Sequence, residues 1–160
     1  MAALAQGDYL VAIARFEESL TVTRGSAFKG ASMDLAYDLR LLAWAACYAG
    51  DIERARKLLG EVMAMEQALG DERGVAAVLE GFAGLAAAVG KHRDAARILG
   101  VAESLRASIG APTNRGEQLQ SGRCVRSTLE ALGPEAFDEA HAEGRAMNTD
   151  TAVEYSLSVT

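Results

Sequence analysis

Apolar and small residues recur along the chain with the period of an α-helix, and the recurrence is itself repeated. Three segments align on a shared glycine: GDYLVAIARFEESL from Gly7, GDIERARKLLGEVM from Gly50 and GKHRDAARILGVAE from Gly90. In each, alanine follows the glycine by five positions (Ala12, Ala55, Ala95) and a large apolar residue follows by nine (Phe16, Leu59, Leu99). The second and third are preceded by matching stretches, AYDLRLLAWAACYA and AAVLEGFAGLAAAV, in which Leu39 pairs with Leu79, Leu42 with Phe82 and Ala43 with Ala83. The pattern predicts antiparallel helix pairs. The glycine makes the left-handed turn that closes the first helix, and Asp51 can cap the second. The alanines let the two backbones approach, and the large residue fills the hollow toward the next pair. One pair cannot bury its own faces, so neighbours must stack.

This arrangement resembles the tetratricopeptide repeat, which implies an all-α, right-handed α-α superhelix. The spacing departs from the standard: Gly7, Gly50 and Gly90 stand 43 and 40 residues apart, against a period of about 34. The extra length falls between pairs, at TRGSAFKGASM and ALGDERG, and implies longer helices and a looser winding. The aromatic expected two residues after the turn glycine is kept as Tyr9 and replaced by Ile52 and His92. Only MAALAQ precedes Gly7, about one and a half helical turns, so the first pair reads as incomplete and the chain as a piece of a longer protein. Residues 1–110 form the helix pairs and 111–160 a C-terminal capping segment. Pro112 stops the third pair, a helix runs from about Arg115 to Ala131, Gly133 and Pro134 break and restart the chain, and a last helix follows Asn148 and Thr149.

From about residue 70 to 157 the likeness narrows. LEGFAGLAAAVGKHRDAARILGVAESLRASIGAP and LEALGPEAFDEAHAEGRAMNTDTAVEYSL resemble the C-terminal helical region of bacterial LuxR-type and predicted-ATPase (STAND) regulators. The marks are Leu99-Gly100, Gly110-Ala111-Pro112, Gly133 ahead of Phe137, and Gly144-Arg145-Ala146-Met147. In this sequence His141 stands where such tails usually carry tryptophan, and Cys124 where tyrosine is common. The resemblance implies an NTPase switch upstream, a helix-turn-helix or cyclase domain at one end, and repeats that receive a protein or a small molecule.

Composition narrows the function classes. With 50% hydrophobic residues but only 6% aromatic, the core must be built from Ala, Leu and Val. Two prolines in 160 residues suit long helices. A net charge of -6 argues against direct nucleic-acid binding, which needs clustered Lys and Arg to displace counterions. Cys47 and Cys124 are the only cysteines, with no CxxC pair, and read as core filler in a reducing cytoplasm. The run FAGLAAAVG is far shorter than the roughly 20 residues of a membrane span.

No chemistry emerges from the motifs. A phosphate loop ending at Gly90-Lys91 would need glycine where Leu85 stands and a hydroxyl where His92 stands. His92 and His141 are the only histidines, 49 residues apart, with no carboxylate-rich or cysteine-rich neighbourhood at ligand spacing. There is no GxSxG and no Cys-His arrangement. The sequence is read as non-enzymatic, with no cofactor and no metal. The informative set is Tyr37, Arg40, Trp44, Cys47 and Tyr48, which share one helix face and include the only tryptophan. Aromatics and arginine dominate binding hot spots. The equivalent stripe of the next pair, Ala77, Glu80, Gly84, Ala87 and Ala88, is smooth, with one carboxylate available to Arg40 or a ligand. A partner- or effector-binding groove made of Tyr37, Arg40, Trp44, Tyr48 and Glu80 is therefore expected, with a packing role for the aromatics as the competing reading. The function expected is a protein-interaction or signal-sensing module of a bacterial transcriptional regulator. The alternatives are a scaffold or self-association (homodimer) domain, or a small-effector pocket between the second and third pairs that regulates an upstream ATPase.

Overall fold

The computed structural model describes residues 8–24, 31–113 and 115–159. The described residues form eight α-helices and no strand: α1 Tyr9–Arg24, α2 Ala31–Tyr48, α3 Ile52–Leu69, α4 Glu72–Ala88, α5 His92–Ser108, α6 Arg115–Leu132, α7 Pro134–Arg145 and α8 Thr149–Val159. The turn at Gly7 and the incomplete first helix before it lie outside the described residues, as does most of the first inter-pair stretch. None of the helices is long and apolar enough to cross a membrane.

Four successive junctions use one device. Gly50, Gly70, Gly90 and Gly110 all have positive φ, between 63° and 84°, and stand 20 residues apart. In each, the following N–H reaches back over the last turn: Asp51 to the Ala46 carbonyl (2.9 Å), Asp71 to Glu66 (3.0 Å), Lys91 to Ala86 (2.8 Å) and Ala111 to Arg106 (3.0 Å). This satisfies a carbonyl that the helix end would otherwise leave unpaired. Asp51 and Asp71 then cap the next helices, accepting from the backbone of Arg54, and of Arg73 and Gly74. The 40-residue repeat is thus two helices of 17 or 18 residues with tight turns both within and between pairs. The stretch ALGDERG, read from sequence as inter-pair extra length, is a turn of the same kind as that at Gly50, and the length goes into the helices.

Consecutive helices joined by such short turns must run antiparallel. The first helices of successive pairs also touch, α2 against α4 and α4 against α6. The repeat alanines Ala12, Ala55 and Ala95 and the large residues Phe16, Leu59 and Leu99 are all buried, as the pattern requires. Helix α4 has neighbours on every side (α2, α3, α5, α6 and α8). That explains its composition: from Gly74 to Ala86 all but Gly84 are buried, and a helix apolar all round belongs in an interior.

The C-terminal helices close on this frame. Pro134 occupies the first turn of α7 behind Gly133, and Asn148 caps α8 by accepting from the Thr151 N–H at 2.8 Å. Helix α7 lies on α5 at backbone contact, where Gly100 and Gly144 face the opposite main chain. Arg93 bridges Glu139 (3.0 Å) and Glu143 (2.9 Å), and Arg97 binds Glu143 from the same helix. Helix α8 seats Val159 on Ala86 and Ala95 at the α4–α5 end, where Tyr155 donates to Asp94 and Lys91 to the Val159 carbonyl. Cys124 is a buried core residue, and His141 stacks on Phe137 with ring centroids 5.6 Å apart.

Candidate functional site

Tyr37, Arg40, Trp44 and Tyr48 do share one face of α2, but what packs on that face divides them. Tyr37 is 44% exposed, whereas Arg40 and Trp44 are 8% and 7% exposed. Trp44 reaches so close to Gly81 of α4 that a Cβ there would lie 2.7 Å from its Nε1. Gly81, with no side chain, is the slot into which the indole packs. Its Nε1 has no hydrogen-bond partner among the described residues.

Tyr48, at the end of the stripe, stacks on Tyr9 (5.4 Å, 24°). Arg123 of α6 lies over the Tyr48 ring at 5.5 Å and donates to the Tyr9 hydroxyl at 2.7 Å. This ties α1, α2 and α6 together. Burial pushes the Tyr48 hydroxyl up to about 12.

Tyr37 and Arg40 open instead onto a hollow of about 290 Å³ at the α3–α4 turn, together with Met33, Glu66, Asp71 and Arg73. The Arg40 guanidinium sits 5.4 Å from the centre of the Tyr37 ring. Glu66 lies on the buried face of α3, its carboxylate directly over Gly74. Burial raises its pKa, the neighbouring Asp71 adds to the rise, and Arg40 opposes it. This is a surface with a half-exposed aromatic, an exposed methionine and a charge group behind them.

Glu80, for which the sequence left Arg40 or a ligand as partner, is held by Arg106 of α5. The guanidinium Nε and NH2 meet the two carboxylate oxygens at 2.7 and 3.2 Å, with both side chains 5% exposed. Glu80 borders two hollows. One, of about 20 Å³, is shared with Trp44, Cys47, Tyr48 and Cys124; the other, of about 450 Å³, lies among α5, α6 and α7. The predicted stripe therefore lines separate hollows and not one groove: Tyr37 with Arg40, and Trp44 with Tyr48 and Glu80.

Sequence reasoning missed Glu66, Arg106 and the Glu103–His141 contact (3.2 Å). A signal for the first two exists. Glu66 continues the buried series Leu59, Val62, Met63, and Arg106 the series Leu99, Ala102, Leu105. A charge on a buried register calls for a partner.

Among the described residues no group of three or more His, Cys, Asp or Glu could hold a metal ion. Both cysteines are free thiols; desolvation pushes Cys47 up to about 11 and Cys124 up to about 12. The nucleophile is the thiolate, so Cys124 in the folded protein is expected to react with iodoacetamide at pH 8 at least about a hundredfold more slowly than after denaturation. Mass spectrometry of the alkylated peptide checks this.

No family model and no solved structure matches the chain. Over 154 residues, 96% of its length, it is 32% identical to proteins of Mycobacterium tuberculosis and Mycobacterium bovis named HTH-type transcriptional regulators. The chain spans 17% of the length of these relatives.

Proposed function

We propose that the chain is a tetratricopeptide-like helical segment of a bacterial transcriptional regulator, where it receives a protein or peptide signal without catalysis of its own. The observation that carries the reading is the match of nearly the whole chain to a fraction of much longer relatives named as such regulators. The helix order supports it: tight pairs, with first helices packed in series through α2, α4 and α6, are what a stacked repeat array requires. The contact surface is Met33 and Tyr37 in front of Arg40, since an exposed aromatic backed by a fixed cation is the composition of a binding hot spot. Helix α1 leaves Leu10 76% and Val11 44% exposed, which favours self-association or docking of another segment as the second reading.

The test uses the whole regulator that contains this chain, with a reporter gene under its control. Met33→Ala with Tyr37→Ala removes exposed side chains only, so helix content and melting temperature should hold. Signal-dependent transcription is expected to drop at least about fivefold. An unchanged response in the folded variant would remove this surface from the proposal.

A further inference from the structure

The hollow among α5, α6 and α7 borders the predicted stripe only through Glu80. Its apolar walls are Leu99 and Ala107 of α5, Pro112 of the following turn and Val125 of α6, and its volume is about 450 Å³. That is within the range of small-ligand sites.

The charges that face it are unevenly answered. At the floor the Arg106 guanidinium is taken up by Glu80, with its NH1 a further 3.5 Å from the Ala111 carbonyl. On the α7 side the half-exposed Glu103 meets His141 Nε2 through one oxygen and Arg145 NH1 through the other, each at 3.2 Å. A carboxylate offers about four acceptor positions, so Glu103 retains accepting capacity at the mouth. Both basic side chains of the lining, Arg106 and His141, already contact a carboxylate.

We infer that this hollow binds a small organic cation, an apolar body carrying a protonated amine that docks on Glu103. The body replaces water against Leu99, Ala107 and Val125, and the ammonium supplies the donors that the free acceptor positions of Glu103 match. An anionic ligand would bring like charge against the accepting oxygens of Glu103, and the chain's net charge of -6 steers cations toward the protein. The inference deepens the signal-receiving reading by naming a ligand class, at a different place from the Tyr37 surface.

Three probes of nearly one shape decide it: tryptamine, tryptophol and indole-3-acetate. Titration calorimetry and saturation-transfer NMR on the purified chain are expected to show tryptamine binding at least ten times more tightly than either of the others. Its affinity should fall about tenfold in Glu103→Gln, an isosteric change at a half-exposed position that keeps the fold. Tryptamine should also shift the NMR signals of Val125 and His141, while Tyr37→Ala leaves its affinity unchanged, so this site and the Tyr37 surface fail separately. Equal binding of all three probes, binding unaffected by Glu103→Gln, or no binding of tryptamine overturns the inference.

Discussion

Replacing Gly144 with alanine is expected to undock the C-terminal helices, and Gly100→Ala to do nearly the same. A Cβ at Gly144 would lie 1.9 Å from the Arg97 carbonyl oxygen; one at Gly100 would lie 2.1 Å from the His141 carbonyl oxygen. These obstacles are backbone on a facing helix, so no side chain can rotate away and α5 and α7 must separate. Separation loosens the Arg93 and Arg97 bridges to Glu139 and Glu143 together with the packing around Phe137. Overpacking of a tight core costs roughly 1–3 kcal/mol and sometimes more; with backbone on both sides of the contact, a loss of at least about 3 kcal/mol is expected. Local propensity pulls the other way, since alanine exceeds glycine in a helix by up to about 1 kcal/mol. Gly60→Ala isolates that opposing effect: Gly60 is in mid-α3 with nothing within 4 Å of an added Cβ, and it should gain roughly 0.5–1 kcal/mol. Urea denaturation of the three variants separates the effects. A Gly144→Ala variant as stable as Gly60→Ala would mean that the two helices do not meet at these glycines.

The two glycines show what a single sequence discloses and what it withholds. Leu99-Gly100 and Gly144-Arg145 stand out as marks of a resemblance, but nothing along the chain says that positions 100 and 144 touch. That is a property of how α7 crosses α5. By contrast, the repeat alanines and Gly50 and Gly90 were legible, because each acts within one helix pair and leaves a local spacing. Gly70-Asp71 repeats the Gly50-Asp51 device, yet a spacing anchored at one glycine per pair places it in the extra length between pairs. For the stripe on α2, the helical face was visible and its burial was not. Trp44 is interior because Gly81, 37 positions later, leaves it room, whereas Tyr37 lies beyond the reach of that contact.

Glu80 and Arg106 are expected to give the second large effect, through a pattern that distinguishes a buried pair from two useful residues. Each single variant, Glu80→Leu or Arg106→Met, leaves the other charge inside the protein without its bidentate partner. Breaking a buried pair this way costs about 3–5 kcal/mol. For a chain of this size that lowers the melting temperature by roughly 6–20 °C. The double variant Glu80→Leu with Arg106→Met removes both charges and returns apolar volume to a site enclosed by α4, α5 and α6, so it should recover most of the loss, because desolvation offsets much of the attraction in such pairs. Arg106 has a further duty that sets the ceiling on recovery: its NH1 lies 3.5 Å from the Ala111 carbonyl just past the Gly110 turn. A Met side chain cannot replace that contact, and a residual deficit of about 1 kcal/mol is expected from a lost neutral acceptor. Thermal denaturation of the four proteins closes the cycle. A double variant no better than the worse single would show that the two groups are held by separate surroundings and not by each other. Recovery would identify the pair as the cost of placing charge at the floor of the α5–α7 hollow, where Glu80 and Arg106 set the electrostatics that any bound molecule meets.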